Sequence, residues 1–310
     1  MRILHGTSFP FMNYRKKAYI FSAVLTVISI ASFFVFGFKM GIDFKGGKEI
    51  IVSVSKPIDT VRLAEELTPL LGDAPETKTF GSDKEIMVRT TVTDKESSDI
   101  EAGIIRTINT KNPGANAKII GSDNVGPRFA EDMRNGAITA VLLALLTIFV
   151  YILIRFDWRF GVGAVVATFH DVIITMGMFS LLHQFTSLPL QIDQTIIAAF
   201  LTIVGYSVND TVIVFDRVRE YSGIYKTEPH VSLMNKAMNA TLSRTIITSA
   251  TVILTALVLF IVGGEVLRGF SFAMLVGLTF GTYSSVYVAS AVALELRLRN
   301  SATPSAATKK

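Results

Sequence analysis

Six apolar stretches, each close to the length of a membrane-spanning helix, constrain this sequence more than any other feature. A helix needs about 20 mostly apolar residues to cross the hydrocarbon core of a bilayer, which is about 30 Å thick. The sequence therefore predicts a polytopic α-helical membrane protein with six transmembrane helices. The stretches lie at residues 18–37, 134–154, 160–182, 193–215, 244–263 and 269–295.

The composition agrees with this prediction and excludes several other classes of protein. Of the 310 residues, 50% are hydrophobic and only 18% are charged, and the mean hydropathy is +0.48. An ordinary soluble domain is about 25% charged. The chain has no cysteine, which excludes disulfides, thiolate metal sites and cysteine nucleophiles. A soluble enzyme, a disordered chain and a disulfide-rich secreted domain do not fit these values.

Residues 38–130, between the first two apolar stretches, have the mixed composition of a water-exposed domain. Short strands rich in β-branched residues alternate there with amphipathic helices. The resulting order, βαββαβ, is typical of a ferredoxin-like α+β domain. The strands are predicted at 48–54, 77–81, 85–92 and 116–122, and the helices at 59–72 and 95–109.

Basic residues are distributed unequally among the short loops that join the six helices. Arg268 is the only lysine or arginine in the two loops at 183–192 and 264–268, whereas the other loops and both termini contain many. Because Lys and Arg concentrate on the cytoplasmic side, we expect both termini in the cytoplasm and residues 38–130 in the periplasm or outside the cell. This bias explains the net charge of +5 better than nucleic-acid binding does.

These predictions divide the chain into four segments. Residues 1–37 are expected to form a cytoplasmic N terminus and the first helix, and residues 38–130 the α+β domain. Residues 131–296 would contain the remaining five helices. Residues 297–310 include a run of small and polar residues and are expected to form a disordered cytoplasmic tail.

Ionisable groups inside the predicted helices are the main functional signal. A charged side chain at the bilayer centre costs about 2.5–3.5 kcal/mol on insertion scales, so it usually has a partner or a pathway. Asp210 lies inside the fourth helix beside Asn209 and one turn after Tyr206, and Asp171 lies in the third helix beside His170. Such a carboxyl can take up a proton from one side and release it to the other. The alternative is a purely structural, hydrogen-bonding role.

Small and polar residues recur at helical spacing around these carboxyls. The fifth helix is predicted to begin at Arg244, which we interpret either as a partner of Asp210 or as an interfacial snorkelling residue. Packed together, the third to sixth helices would enclose a polar interior, and the Gly pair of the sixth helix is expected to serve packing. The polar stripes comprise Ala199, Thr202, Tyr206 and Asn209; Thr248, Thr251 and Thr255; and Gly277, Gly281, Ser284 and Ser285.

Other chemical signals are weak. The segment GIDFKGGK at 41–48 is similar to a phosphate-binding loop, but its lysine has the wrong spacing and it follows a membrane helix. The four histidines are scattered without metal-ligand spacing. We therefore expect no enzymatic activity, no catalytic residue, no cofactor and no metal.

Three segments resemble the signature blocks of the SecF family, whose members are membrane subunits of the bacterial SecD–SecF export complex. The resemblance covers essentially the whole chain and includes the six-helix topology. It places the chain in the resistance–nodulation–division superfamily and implies a multi-pass protein of the bacterial inner membrane. The segments are GIDFKGG after the first helix, YSVNDTVIVFDRVRE in the fourth, and MNKAMNATLSRTIITS leading into the fifth.

The resemblance implies a function and roles for particular residues. With SecD, such a protein couples the proton-motive force to late, ATP-independent steps of preprotein translocation. The family motifs place Asp210 and Arg244 in a proton pathway, and Asp171 matches the aspartate of the third helix in the family. We add Asn209, Tyr206 and Thr248 to this pathway because they share its helix faces.

The family motif after the first helix falls on Gly41, Asp43, Gly46 and Gly47, and we interpret it as a hinge. The partners implied are SecD on a separate chain, the SecYEG translocon, preprotein and membrane lipid, with YajC as an optional further subunit. No nucleic acid is expected.

Two other functions remain open at this point. A half-size proton-coupled exporter of small molecules or lipids would share the superfamily, although a domain of about 90 residues offers little material for a drug-binding pocket. A non-transporting assembly factor of the translocon would keep the fold without using Asp210.

Overall fold

The structure is a computed structural model that describes residues 7–72, 75–91, 97–186 and 188–302. It contains six helices long and apolar enough to cross a membrane, as the hydropathy predicts. Five are α1, α5, α6, α7 and α8, and the sixth is formed by α9 and α10 together. Their bounds are α1 Arg15–Val35, α5 Pro127–Arg155, α6 Trp158–Phe185, α7 Gln194–Ile224, α8 His230–Val262, α9 Gly264–Ser284 and α10 Ser290–Ala302.

The predicted α+β domain is present between α1 and α5. A one-turn helix, α2, precedes it, and the strands and helices then follow in the order βαββαβ. The sheet is antiparallel throughout, with strand order β2-β3-β1-β4. This is the ferredoxin-like arrangement predicted from the strand pattern. The bounds are α2 Ile42–Lys45, β1 Gly47–Ser53, α3 Thr60–Leu71, β2 Glu76–Phe80, β3 Ser82–Thr90, α4 Ser97–Lys111 and β4 Lys118–Val125.

One face of this sheet makes the core of the domain. Because side chains alternate along a strand, Ile50 and Val52 of β1 point to the same side and are fully buried there. Residues at helical spacing on α3 and α4 cover them, which gives one continuous apolar cluster. The opposite face carries charged residues such as Glu49 and Arg89, and it lies towards the starts of α7 and α9.

Within the membrane helices, α7 occupies a central position. It packs against α5, α6, α8 and α9, whereas α1 packs mainly on α6. The glycine pair of α9 allows its close approach to α7, because a Cβ at Gly277 would overlap Ile203 and one at Gly281 would press on Ser207. The glycines therefore serve packing, as predicted.

Some helical segments differ from the sequence-based expectation. The fifth membrane helix, α8, begins at His230 rather than at Arg244, because a half-buried polar extension precedes its apolar part. The disordered tail was predicted to begin at 297, but α10 continues to Ala302; residues 303–310 lie outside the described part of the chain. Between α9 and α10 the helix widens into a π-helical turn, Ser285–Ala289, which was not predicted.

Candidate functional site: two buried carboxyls among hydroxyl groups

Asp171 of α6 is one of two carboxyls that are buried among the described residues of the membrane helices, with 1% of its surface exposed. Three neighbours hydrogen bond to it. Ser207 Oγ donates to Oδ2 at 2.5 Å, Ser284 Oγ donates to the same oxygen at 2.7 Å, and His170 Nδ1 lies 3.0 Å from Oδ1. Three helices, α6, α7 and α9, thus converge on one carboxyl group.

Asp210 of α7 is the second buried carboxyl, with 5% of its surface exposed. Ser249 Oγ of α8 donates to its Oδ2 at 3.0 Å, and Thr282 Oγ1 of α9 donates to Ser249 Oγ at 2.8 Å. A short hydroxyl chain therefore runs from α9 through α8 to the carboxyl on α7.

The π-helical turn joins this network to the backbone of α7. Ser285 Oγ donates to the carbonyl of Ser207 at 3.2 Å, and Thr211 Oγ1 donates to Ser285 Oγ at 3.0 Å. Such turns inside α-helices occur frequently at functional sites. Here Ser284, the last residue of α9, hydrogen bonds to Asp171, and Ser285, the first residue of the turn, hydrogen bonds to Thr211.

The chemistry available at this site is proton exchange. A hydroxyl can both donate and accept, so it can hydrogen bond to either an ionised or a protonated carboxyl after rotating its O–H. Burial favours the neutral carboxyl, and the donated hydrogen bonds favour the ionised one. Because its hydroxyl neighbours can rotate, each carboxyl can change its charge and keep its hydrogen bonds to them. Among the described residues, no three His, Asp or Glu side chains form a metal-binding group.

Arg244 lies on α8 near Asp210 but does not bind it directly. Its charge is close enough to act on the Asp210 carboxylate, whereas within the described chain no ion pair joins the two. The side chain of Arg244 is exposed. A direct Asp210–Arg244 contact is therefore absent from this conformation.

Several residues assigned to the polar interior lie elsewhere. Asn209 is exposed, and Tyr206 and Thr248 are only partly buried. Thr251 and Thr255 are exposed and bond to their own helix. On α8, the buried polar face contains Thr241, Thr245 and Ser249 instead. Of the predicted stripes, only the one on the sixth helix faces the carboxyls.

The Gly41–Gly47 motif lies where the α+β domain meets the membrane helices. It contacts residues 188–193, which precede α7 and are called the docking loop below. Gly41 N donates to the carbonyl of Ile192 at 2.9 Å, and Gln194 N donates to Asp43 Oδ2 at 3.0 Å. Gly46 and Gly47 have φ values of +75° and +136°, which only glycine adopts readily.

A second contact was not predicted from the sequence. Gln191 Nε2 in the docking loop donates to Glu76 Oε2 of β2 at 2.6 Å, and Lys39 Nζ pairs with Glu76 Oε1 at 2.7 Å. Although burial raises the pKa of the Glu76 carboxyl, Lys39 and Lys78 outweigh it and hold this pKa below its usual value. The domain is thus bound directly to the start of the helix that carries Asp210.

Comparison with known proteins agrees with this architecture. Residues 104–299 match the family model described as protein export membrane protein SecD/SecF, C-terminal, and residues 31–58 match the SecD/SecF GG motif. The protein translocase subunit SecF of Rhodothermus marinus is 54% identical over 302 residues, covering 97% of each chain. The chain belongs to the SecF family. The SecF of Escherichia coli O157:H7 is 38% identical, over 95% of this chain and 90% of that one.

Solved structures extend the family likeness to three dimensions. The crystal structure of SecDF, a translocon-associated membrane protein from Thermus thermophilus, matches 96% of this chain with a TM-score of 0.83 and 34% identity. SecDF in its super-membrane-facing form matches with a TM-score of 0.69. This chain spans 40% of the SecDF chain in the first comparison. The SecF-family fold is that of a multi-pass inner-membrane protein.

Proposed function

We propose that this chain is a SecF-type subunit that acts with SecD in protein export and couples the proton-motive force to late preprotein translocation. The observation that carries the proposal is the pair of buried carboxyls, Asp171 and Asp210, in a hydroxyl network between membrane helices. A proton that crosses the membrane releases about 2.3 kcal/mol per 100 mV. If these carboxyls take up a proton from one side and release it to the other, that energy can drive movement of the helices.

A SecD partner accounts for the polar surface that the chain leaves uncovered. Asn209 and Arg244 are exposed on the membrane helices next to the Asp210 site. Polar groups facing lipid are costly, which favours a protein partner on this face. The SecDF chain is more than twice as long as the part matched here, and we infer that SecD supplies the missing half and a second carboxyl.

The proposed pathway contains Asp210, Arg244 and Asp171, with Tyr206, Asn209 and Thr248 on its partner-facing side. Protonation of Asp210 would weaken its attraction to Arg244 and its hydrogen bond from Ser249. Helices α7 and α8 would then shift relative to one another. Because the docking loop precedes α7 and binds the Gly41–Gly47 motif, such a shift would tilt the α+β domain.

The orientation proposed from the loops fits this role. The helix ends near Arg155, Arg159 and Arg217 would face the cytoplasm, and the domain at 38–130 would face the periplasm, where the preprotein emerges. SecYEG, the preprotein and YajC would bind to the assembled complex of this chain with SecD.

The deciding experiment is late-stage preprotein translocation in vesicles that contain the translocon, SecD and this chain. Asp210→Asn keeps the size and polarity of the side chain but cannot titrate. We expect it to abolish the stimulation of translocation by a proton gradient while the complex still assembles. The matched control is Asp216→Asn on the same helix, because the Asp216 side chain is about half exposed and pairs with Arg155.

Each outcome separates the candidate functions. Full stimulation in the Asp210→Asn protein would contradict the proposal and favour an assembly factor without transport. Proton-coupled efflux of a small molecule by this chain alone would favour the exporter. Loss of stimulation in both aspartate variants would indicate a general defect in folding.

A further inference from the structure

An apolar groove of about 470 Å³ lies between α5, α6 and α7. Its volume lies in the range of roughly 300–1,000 Å³ typical of ligand pockets. The walls include Ile138, Leu142 and Leu145 of α5, Phe169 of α6 and Leu201 of α7. Met40, Phe44 and Ile192 close its end nearer to the α+β domain.

Arg134 is the only charged residue among the described residues that line this groove. It is exposed and has no ion pair or hydrogen bond within the described part of the chain. From Asn135 to Ile154 the sequence has no charged residue. Arg134 therefore lies at the boundary of the hydrocarbon region, the depth at which lipid phosphate groups are found. Glu131 and Asp132 precede it on α5 but do not line the groove.

We propose that this groove binds one phospholipid, with an acyl chain between α5 and α7 and the phosphate on Arg134. Three features favour a lipid over a protein helix. The wall residues Ile138, Leu142 and Phe169 are 54%, 62% and 50% exposed. The walls are apolar, and the single cation stands at headgroup depth, where a phosphate complements it. In addition, α5 is the least buried of the six membrane helices.

The bound lipid would touch the junction that carries the α+β domain. Met40 and Phe44, on either side of Gly41, also line the groove. Phe44 belongs to α2, which packs against α5. An acyl chain in the groove would therefore contact the junction from the membrane side. This site is independent of the proton pathway proposed above.

The test uses the complex with SecD in phosphatidylethanolamine nanodiscs that contain a trace of the same lipid with a diazirine in its acyl chain. After photolysis, mass spectrometry locates the labelled residues. We expect labelling to concentrate on the residues of α5 and α7 that line the groove, which are Ala137, Ile138, Val141, Leu142, Leu145, Ile197, Phe200, Leu201 and Val204. Arg134→Ala should lower this labelling about tenfold, the typical effect of losing one hydrogen bond to a charged group. Arg134→Lys should restore much of it.

Two controls distinguish a specific lipid-binding site from general contact with the bilayer. Arg128→Ala removes an exposed charge from the same helix outside the groove and should leave labelling unchanged. Ala137→Trp fills the groove. It should remove the labelling of α7 and leave labelling on α5. Equal labelling of the groove and of Leu143, which faces away from it, would overturn the proposal. Cross-links from the groove to a SecD helix in place of lipid would also overturn it.

Discussion

At Gly47 the backbone has φ of +136°, and a Cβ there would collide with the carbonyl of Thr90 on β3. Gly46 beside it has φ of +75° and lies close to Pro127, the first residue of α5. Two consecutive glycines thus allow β1 to begin directly beside β3 and the start of a membrane helix. A side chain at either position would separate these elements.

Replacing Gly47 by alanine should therefore destabilise the start of the sheet. An unfavourable φ costs of order 1–3 kcal/mol, and the contact with Thr90 adds to this. We expect amide hydrogen exchange in β1 and β3 to accelerate by at least about tenfold in the assembled complex. Gly136→Ala, at a helical position with open space, is the control and should have no such effect. Unchanged exchange in the Gly47→Ala protein would contradict this explanation.

The sequence of α8 contains two polar stripes, and it does not decide which of them faces α7. Thr248, Thr251 and Thr255 have helical spacing, but so do Thr241, Thr245 and Ser249. Both stripes can pack against a neighbouring helix, and only the direction of α7 decides which one does. In the structure, Ser249 reaches Asp210 and Thr251 bonds to its own helix.

Substitution of these two residues distinguishes the stripes experimentally. Ser249→Ala removes a hydrogen bond to a carboxylate, which is worth about 1.5–3 kcal/mol, so proton-driven stimulation of translocation should fall about tenfold. Thr251→Ala should keep at least most of the stimulation, because its hydroxyl is exposed. If the two variants behaved alike in the vesicle assay, the hydroxyl chain would have no special role.

Among the elements, the docking loop connects the α+β domain to α7. Asp193 caps α7 by accepting from Ile196 N at 2.9 Å. Burial raises the pKa of the Asp193 carboxyl, and the charge of Asp43 raises it further, against the opposing effect of Arg89. The docked state therefore favours the protonated form of Asp193, and docking should strengthen as the pH falls through this raised pKa.

This pH dependence can be measured as a distance. The chain has no cysteine, so Asp83→Cys in the domain and Ile261→Cys on α8 would carry the only two spin labels in the chain. We expect the distance distribution to narrow as the pH falls from 7 towards the raised pKa of Asp193. Asp193→Asn keeps the cap and should remove the pH dependence. Glu228→Gln, in the loop between α7 and α8, should retain it.

Element limits were predictable where hydropathy changes sharply and unpredictable elsewhere. The ends of α6 follow the apolar run within a few residues. The first part of α8 is polar on one side, so hydropathy assigns it to a loop, although its Leu233, Met234 and Ala237 pack into the core. The N-terminal segment stabilises this extension, since Asn235 and Asn239 hydrogen bond to the backbone of Met12 and Phe9. Such long-range contacts leave no local signal.

For the whole molecule, the overall fold was predictable because two strong sequence patterns specify it. Runs of about 20 apolar residues define the membrane helices, and a period of two defines the strands. The direction in which each membrane helix faces was less predictable, because lipid and protein interiors accept the same apolar residues. The exposed position of Asn209 is the clearest example.

A cross-linking experiment can test whether a partner covers that face. With Asn209→Cys as the only cysteine in this chain, we expect disulfide formation with single cysteines on a SecD membrane helix. Ile154→Cys, which is 82% exposed on α5, is the control and should react with a lipid-soluble maleimide instead. Equal labelling of both cysteines by the maleimide in the complex would contradict the proposed interface.

The uncovered polar face of α7 and α8 has a consequence for the supply of this protein in the cell. A copy without its partner would present Asn209 and Arg244 to the acyl chains, at a cost that folding of the single chain does not relieve. Orphan copies would be the less stable species and the preferred substrates of membrane proteases. Balanced synthesis of the two subunits would then be enforced by degradation of whichever is in excess.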